Sequence, residues 1–162
     1  MSDVISDAVP GFLREDEVRQ GIELLFYAYR DFTAEPDAML ARYGFGRAHH
    51  RVIYFVGRHP QMSVSELLGI LRITKQSLAR VLGQLVRQGF IVQRAGKTDR
   101  RQRLLELTAK GIELERQLSE NQRQRITRAF AEAGPEAVEG FRRVMLGIMS
   151  GDPDRLRFRR SR

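Results

Sequence analysis

The sequence contains no cysteine, and this absence excludes a first group of functions. Without thiols the chain cannot form disulfides, bind zinc through thiolates or sense oxidants through thiol chemistry. No apolar run approaches the roughly 20 residues that a membrane-spanning helix needs, and the first residues lack the cationic and then apolar pattern of a signal peptide. We therefore expect a cytoplasmic protein without a membrane partner.

The sequence also lacks the local patterns of common enzymes. It has no nucleophile elbow, no phosphate-binding glycine loop and no zinc motif. The three histidines, His49, His50 and His59, are not spaced to put two metal ligands on one helix face. Structural histidines are therefore favoured over ligands, although a pH-sensitive or effector-contacting role stays open. We predict no enzymatic activity, no metal and no cofactor.

Positive charge is concentrated in one stretch of the chain. Residues 72–103 hold nine Lys or Arg and one acid, Asp99, and their net charge of +8 equals that of the whole chain. The other 130 residues balance, with 19 basic and 19 acidic side chains. A local cationic face of this kind is expected of a nucleic-acid binder.

Two short helices are predicted inside and just before this stretch. Ser63 and Glu66 have the spacing of a capping box, and Thr74 has the position of an N-cap. Apolar residues then recur at helical spacing until Gly89, namely Leu78, Val81, Leu82, Leu85 and Val86. Two helices joined by a tight turn at residues 72–73 have helix-turn-helix spacing.

A β-hairpin is predicted after the second helix. Residues 91–94 and 104–107 have strand patterns, and the turn between them contains Gly96 and Lys97. A hairpin that follows a recognition helix is a wing.

Long amphipathic helices flank this region. The first runs from Arg14 and is predicted to end before Pro36, with a separate helical turn at residues 37–43. A second helix is predicted at 46–58, a third after Thr108 to about Ala133, and a last one after Pro135. The first helix suits either an intramolecular core or a dimer interface, and the apolar stripe of the last helix favours the dimer.

Three runs of the sequence resemble the MarR family of winged-helix transcriptional regulators. They are Gln84-Leu85-Val86-Arg87-Gln88-Gly89-Phe90-Ile91, Asp99-Arg100-Arg101 and Leu107-Thr108-Ala109-Lys110-Gly111. Residues 46–52 and 73–78 are also similar to a PetP-like subgroup. The resemblance implies a homodimer that binds double-stranded DNA, with a cleft for a small-molecule effector between its lobes.

The expected fold is mainly α with a small β-hairpin wing. We predict a flexible leader at 1–12, N-terminal dimerisation helices at 13–45, a winged helix-turn-helix lobe at 46–111, C-terminal dimerisation helices at 112–151 and a basic tail at 152–162. The tail suits a mobile end, a secondary phosphate contact or a docking segment. The predicted dimer interface comprises Val18, Ile22, Phe26, Tyr29, Phe141, Met145 and Ile148.

Predicted DNA contacts fall into three groups. Ser63, Thr74 and Lys75 lie near helix N-termini and suit phosphates. Gln76, Ser77, Arg80 and Gln84 lie along the recognition helix, with Arg80 as the main base contact. The wing contributes Arg94, Lys97, Asp99, Arg100, Arg101 and Arg103. The resemblance makes Arg101 the minor-groove arginine and Asp99 the acid that orients it, whereas Asp99 is equally suited to a plain turn.

Two functions agree with these patterns. The first is a homodimeric regulator that reads a pseudo-palindromic operator and responds to an effector held by Phe26, His49, His50 and Tyr54. The alternative is an architectural or nonspecific nucleic-acid binder without an effector. Gly83, inside the recognition helix, has no explanation at this stage.

Overall fold

The fold is taken from a computed structural model that describes residues 10–159. Residues 1–9 of the predicted leader and 160–162 of the predicted tail lie outside the described residues. The helices are α1 (Glu15–Ala41), α2 (Arg47–Arg58), α3 (Val64–Leu71), α4 (Lys75–Arg87), α5 (Ala109–Ala133), α6 (Pro135–Ile148) and α7 (Asp152–Arg159). The strands are β1 (Met62–Ser63), β2 (Ile91–Ala95) and β3 (Arg103–Leu107). A mainly α fold with a small wing is confirmed.

The chain divides between Glu35 and Pro36 into two compact units. The described part of the first unit is almost entirely α1. This helix begins with three acids, because the N-terminus of a helix favours negative charge. Apolar side chains of this unit are exposed, and Ile22, Leu24 and Phe26 each keep more than 60% of their surface accessible. Large apolar side chains exposed together on one helix are typical of an interaction site.

The predicted helix end before Pro36 is wrong, because α1 continues through this residue to Ala41. A proline inside a helix removes one backbone hydrogen bond and costs about 3 kcal/mol. Burial downstream offsets this cost, since Pro36 is buried and Leu40, one turn later, is fully inaccessible in the core of the second unit. The predicted separate turn at 37–43 is therefore the last part of α1.

The second unit is built around a three-stranded antiparallel sheet in the order β1-β3-β2. The predicted hairpin is confirmed, with Ile91 opposite Leu107 and Ala95 opposite Arg103. Strand β1 was not predicted, because two residues carry no alternating pattern. The core is formed by Leu40, Phe45, Val52, Ile53, Val56, Met62, Leu67, Leu78, Val81, Leu82, Leu85, Phe90, Ile91, Leu105, Leu114 and Leu118.

The junction of β3 and α5 explains the Leu-Thr-x-x-Gly run. Thr108 caps α5 by accepting a hydrogen bond from the N–H of Gly111, and its own hydroxyl donates to the carbonyl of Gly89. A Cβ on Gly111 would lie 2.1 Å from the carbonyl oxygen of Phe90. Only glycine allows this close approach, which packs the start of α5 against residues 89–90, after the end of α4.

Residues Asp152–Arg159, which belong to the predicted basic tail, form helix α7. The guanidinium of Arg155 donates to the carbonyl oxygens of Leu146 at 3.1 Å and Met149 at 2.5 Å. These acceptors are unpaired carbonyls at the end of α6, so Arg155 acts as a C-terminal cap. Among residues 10–159, no helix is long and apolar enough to cross a membrane.

Candidate nucleic-acid interface

The two helices of the helix-turn-helix begin at side-chain caps. Ser63 Oγ accepts from the N–H of Glu66 at 3.1 Å, and the Glu66 carboxylate accepts from the N–H of Ser63 at 3.3 Å. Thr74 Oγ1 accepts from the N–H of Ser77 at 3.1 Å and donates to Ser77 Oγ at 2.9 Å. Both predicted caps are confirmed. Ser63 is only 7% accessible, so its side chain serves the helix start rather than an exposed phosphate site.

Helix α4 has one buried and one exposed face. Leu78, Val81, Leu82 and Leu85 are buried, whereas Lys75, Gln76 and Arg80 are exposed. The buried side chains hold the helix against the core, so the exposed ones have a rigid base. This is the arrangement that a helix needs to enter a major groove.

Gln84, on the edge of the same helix, is held by a residue of α2. His49 Nε2 lies 2.5 Å from Gln84 Oε1, and His49 Nδ1 accepts from the N–H of Gly46 at 3.1 Å. The imidazole also stacks on Phe45, with ring centroids 4.5 Å apart. Burial lowers the pKa of His49 below its ordinary value of 6.5; the hydrogen bond to Gln84 raises it, and the charge of Arg80 lowers it. The sequence did not indicate this pair, whose members lie 35 residues apart.

The turn between α3 and α4 is tied to α7. Arg72 ends α3 in the left-handed region, with φ 52° and ψ 40°. Its guanidinium donates to the Asp154 carboxylate at 3.0 Å. One of the nine cations of the basic stretch is thus paired with an acid 82 residues away. Sequence spacing alone offers no signal for this pair.

The wing carries basic side chains both on its strands and at its tip. On the strands, Arg94 pairs with Glu106 at 3.3 Å and Arg103 donates to Gln93 at 3.4 Å. At the tip, three basic side chains are exposed: Lys97, Arg100 and Arg101. Of the five predicted wing cations, two therefore contact side chains of the neighbouring strand, and three lie at the tip.

Asp99 organises the turn at the tip of the wing. Its Oδ1 accepts from the backbone N–H of Arg101 at 3.0 Å, and its carbonyl accepts from the N–H of Gln102 at 3.1 Å. A Cβ on Gly96 would lie 2.4 Å from this carbonyl oxygen. These are contacts of a turn residue, and they hold the backbone that carries Arg101.

The predicted dimer residues are accessible in the single chain. Val18, Ile22, Phe26 and Tyr29 are exposed in the first unit, and Phe141 and Ile148 are exposed on α6. Met145 is half-buried. Helix α6 has no fully buried residue, so its apolar side chains remain available for a partner.

The four predicted effector residues are distributed over both units. Phe26 belongs to the first unit, and His49, His50 and Tyr54 belong to α2 in the second. Tyr54 is exposed. Burial lowers the pKa of the half-buried His50, while Asp37 and Glu115 raise it and Arg51 lowers it. Within residues 10–159, no three His, Asp or Glu side chains are grouped to hold a metal ion.

Comparisons with known proteins agree with this geometry. Residues 43–102 match a sequence model described as the MarR family. The HTH-type transcriptional regulator PetP of Rhodobacter capsulatus is 50% identical over 138 residues, covering 85% of this chain and 83% of that protein.

Solved structures show the same fold at low identity. Streptococcus pneumoniae FabT in complex with DNA has a TM-score of 0.70 and 18% identity, covering 81% of this chain and 94% of FabT. NadR in complex with 4-hydroxyphenylacetate has a TM-score of 0.65 and 20% identity, covering 76% and 88% of the two chains.

Proposed function

The chain belongs to the MarR family of winged helix-turn-helix transcriptional regulators, and on this premise we propose how it reads DNA. It acts as a homodimer on a pseudo-palindromic duplex and places one α4 in each of two successive major grooves. The half-sites lie about one helical turn apart. The exposed apolar side chains of α1 and α6 supply the dimer contacts.

The observation that carries this proposal is the exposed face of α4. Arg80 lies on this face, two residues after the buried Leu78 and directly before the buried Val81. Its guanidinium has the donors for a bidentate contact with guanine O6 and N7. The wing tip contacts the adjacent DNA backbone and minor groove through Lys97, Arg100 and Arg101. These contacts add affinity that depends little on the DNA sequence.

Substitution of Arg80 separates a sequence-specific regulator from an architectural binder. Genomic fragments that the parent protein retains supply the specific duplex, and a random duplex of equal length is the competitor. Arg80→Ala removes a base contact worth about 1–3 kcal/mol of discrimination. We expect the specific duplex to lose roughly 5- to 150-fold in affinity, and the random duplex much less.

Lys75→Ala is the matched control, because it removes an exposed positive charge from the same helix. We expect it to weaken both duplexes by a similar factor. If Arg80→Ala also weakens both duplexes equally, or if the retained fragments share no sequence, the chain is a nonspecific binder.

An effector is a separate part of the proposal. NadR, a structural relative, binds 4-hydroxyphenylacetate, so small aromatic acids are reasonable first probes. The predicted residues Phe26, His49, His50 and Tyr54 stay a prediction for this role. The bonds that His49 makes to Gly46 and Gln84 support a different role for that residue.

A further inference from the structure

His49 and Gln84 form a contact between α2 and the recognition helix that base reading alone does not require. The imidazole is held by Gly46, Gln84 and the ring of Phe45. It is buried, yet one of its partners belongs to the helix predicted to enter the groove.

The backbone determines which tautomer His49 adopts. The N–H of Gly46 points at Nδ1, so Nδ1 must carry a lone pair and not a proton. In a neutral ring the proton is then on Nε2. The Nε2–H group must donate, and its partner is the carbonyl oxygen of the Gln84 amide. The lowered pKa of His49 keeps the ring neutral near pH 7.

The orientation of the Gln84 amide follows from this tautomer. Its oxygen is turned toward α2, and its NH2 group lies on the opposite side of the planar amide. A free glutamine can present either end, because the two ends interchange by rotation about one bond. Gln84 in this protein can turn its oxygen outward only by breaking the bond to His49.

We propose that His49 is a positioning residue of the DNA-reading surface, which makes Gln84 a hydrogen-bond donor toward DNA. The proposal rests on the proposed function. Gln84 then recognises an acceptor, such as guanine O6 or N7, adenine N7, thymine O4 or a phosphate oxygen. It does not make the bidentate contact with adenine, which needs the amide oxygen and nitrogen together.

A double-mutant cycle tests the coupling. His49→Phe keeps an aromatic ring on Phe45 and removes both nitrogens, and Gln84→Ala removes the amide. We expect His49→Phe to lower affinity for the selected duplex about three- to tenfold in the parent and to have no effect in the Gln84→Ala background. Equal losses in both backgrounds, or no loss in either, would overturn the proposal.

Base preference distinguishes positioning from a merely structural role. The base pair contacted by Gln84 is identified as the position of the duplex at which base changes no longer alter the affinity of Gln84→Ala. We expect the parent to show no preference for adenine there, and His49→Phe, which frees the amide oxygen for the bidentate contact, to shift the preference toward adenine by at least about threefold relative to guanine or thymine. If His49→Phe changes the melting temperature and leaves this preference untouched, the contact is only structural. If Gln84→Ala makes no position of the duplex insensitive to base changes, Gln84 contacts a phosphate. The double-mutant cycle then decides by itself whether His49 positions Gln84.

Nitrogen NMR of the free parent protein tests the same geometry without DNA and without a variant that must fold. We expect His49 at pH 7 to be neutral with its proton on Nε2. A proton on Nδ1, or a doubly protonated ring, contradicts the proposal. This measurement remains decisive if the Arg80→Ala competition shows nonspecific binding. If the double-mutant cycle is additive while Arg80→Ala still loses sequence preference, only the positioning role of His49 is excluded, and the proposed function stands.

Discussion

The recognition helix and the wing both expose positive charge, but they hold their polar side chains differently. Helix α4 is packed on four buried apolar residues, and His49 binds Gln84 at its edge. The tip of the wing is supported by backbone bonds of a short turn, with Gly96 donating to the carbonyl of Gln102 at 2.9 Å. Fixed side chains suit base edges, which demand accurate geometry, whereas cations on a hairpin tip suit phosphates.

Among changes within the recognition helix and the wing, the largest expected effect on stability comes from breaking the turn of the wing. In Gly96→Ala the new Cβ would meet the carbonyl oxygen of Asp99 at 2.4 Å. Because backbone must move, we expect the free energy of unfolding to fall by on the order of 2 kcal/mol. We also expect affinity to fall for specific and random duplexes alike. Denaturant unfolding and duplex titration measure the two effects, and unchanged stability would contradict the tight turn.

Removing one cation from the wing tip has the next largest effect. We expect Arg101→Ala to weaken binding to any duplex roughly five- to tenfold at about 0.1 M salt and to reduce the salt slope by about 0.9. The ratio of specific to random affinity should change little. Arg125→Ala removes an exposed charge from α5 and serves as control. A larger loss of specificity than in Arg80→Ala would reverse the assignment of roles.

The smallest expected effect concerns Gly83 in α4. A Cβ at this position would meet only the guanidinium of Arg87, at 3.1 Å, and a flexible side chain can move. Alanine favours a helix over glycine by about 1 kcal/mol, so Gly83→Ala should stabilise the fold by up to about that amount. Gly111→Ala is the contrast, because its Cβ would meet the Phe90 carbonyl at 2.1 Å. Thermal unfolding should show a higher midpoint for Gly83→Ala and a lower midpoint for Gly111→Ala than for the parent protein.

Local sequence predicted most of the fold. The caps Ser63, Thr74 and Thr108 and the breaks at Gly89 and Gly134 depend on interactions within about four residues, and the structure confirms them. The prediction failed at Pro36, where burial of Pro36 itself and of Leu40 in the tertiary core outweighs a local penalty. It also missed helix α7, which contacts the end of α6 and the turn at Arg72.

The candidate site was predicted less completely than the fold. The exposed positions Lys75, Gln76 and Arg80 follow from helical periodicity. The half-buried Gln84 and the paired Arg94 do not, because their partners are chosen by packing between elements. For Asp99 the sequence left two roles open, an acid that orients Arg101 and a plain turn residue. Its bond to the backbone N–H of Arg101 has the geometry of a turn residue.

The sequence by itself determined where helices begin, where the hairpin turns and where positive charge accumulates, because these properties arise from neighbouring residues. The tertiary structure decided which polar groups remain available for DNA. His49 and Gln84 are 35 residues apart, and Arg72 and Asp154 are 82 apart. Packing of the core brings such groups within hydrogen-bonding distance, and a hydrogen bond depends on distance and angle that sequence spacing does not contain.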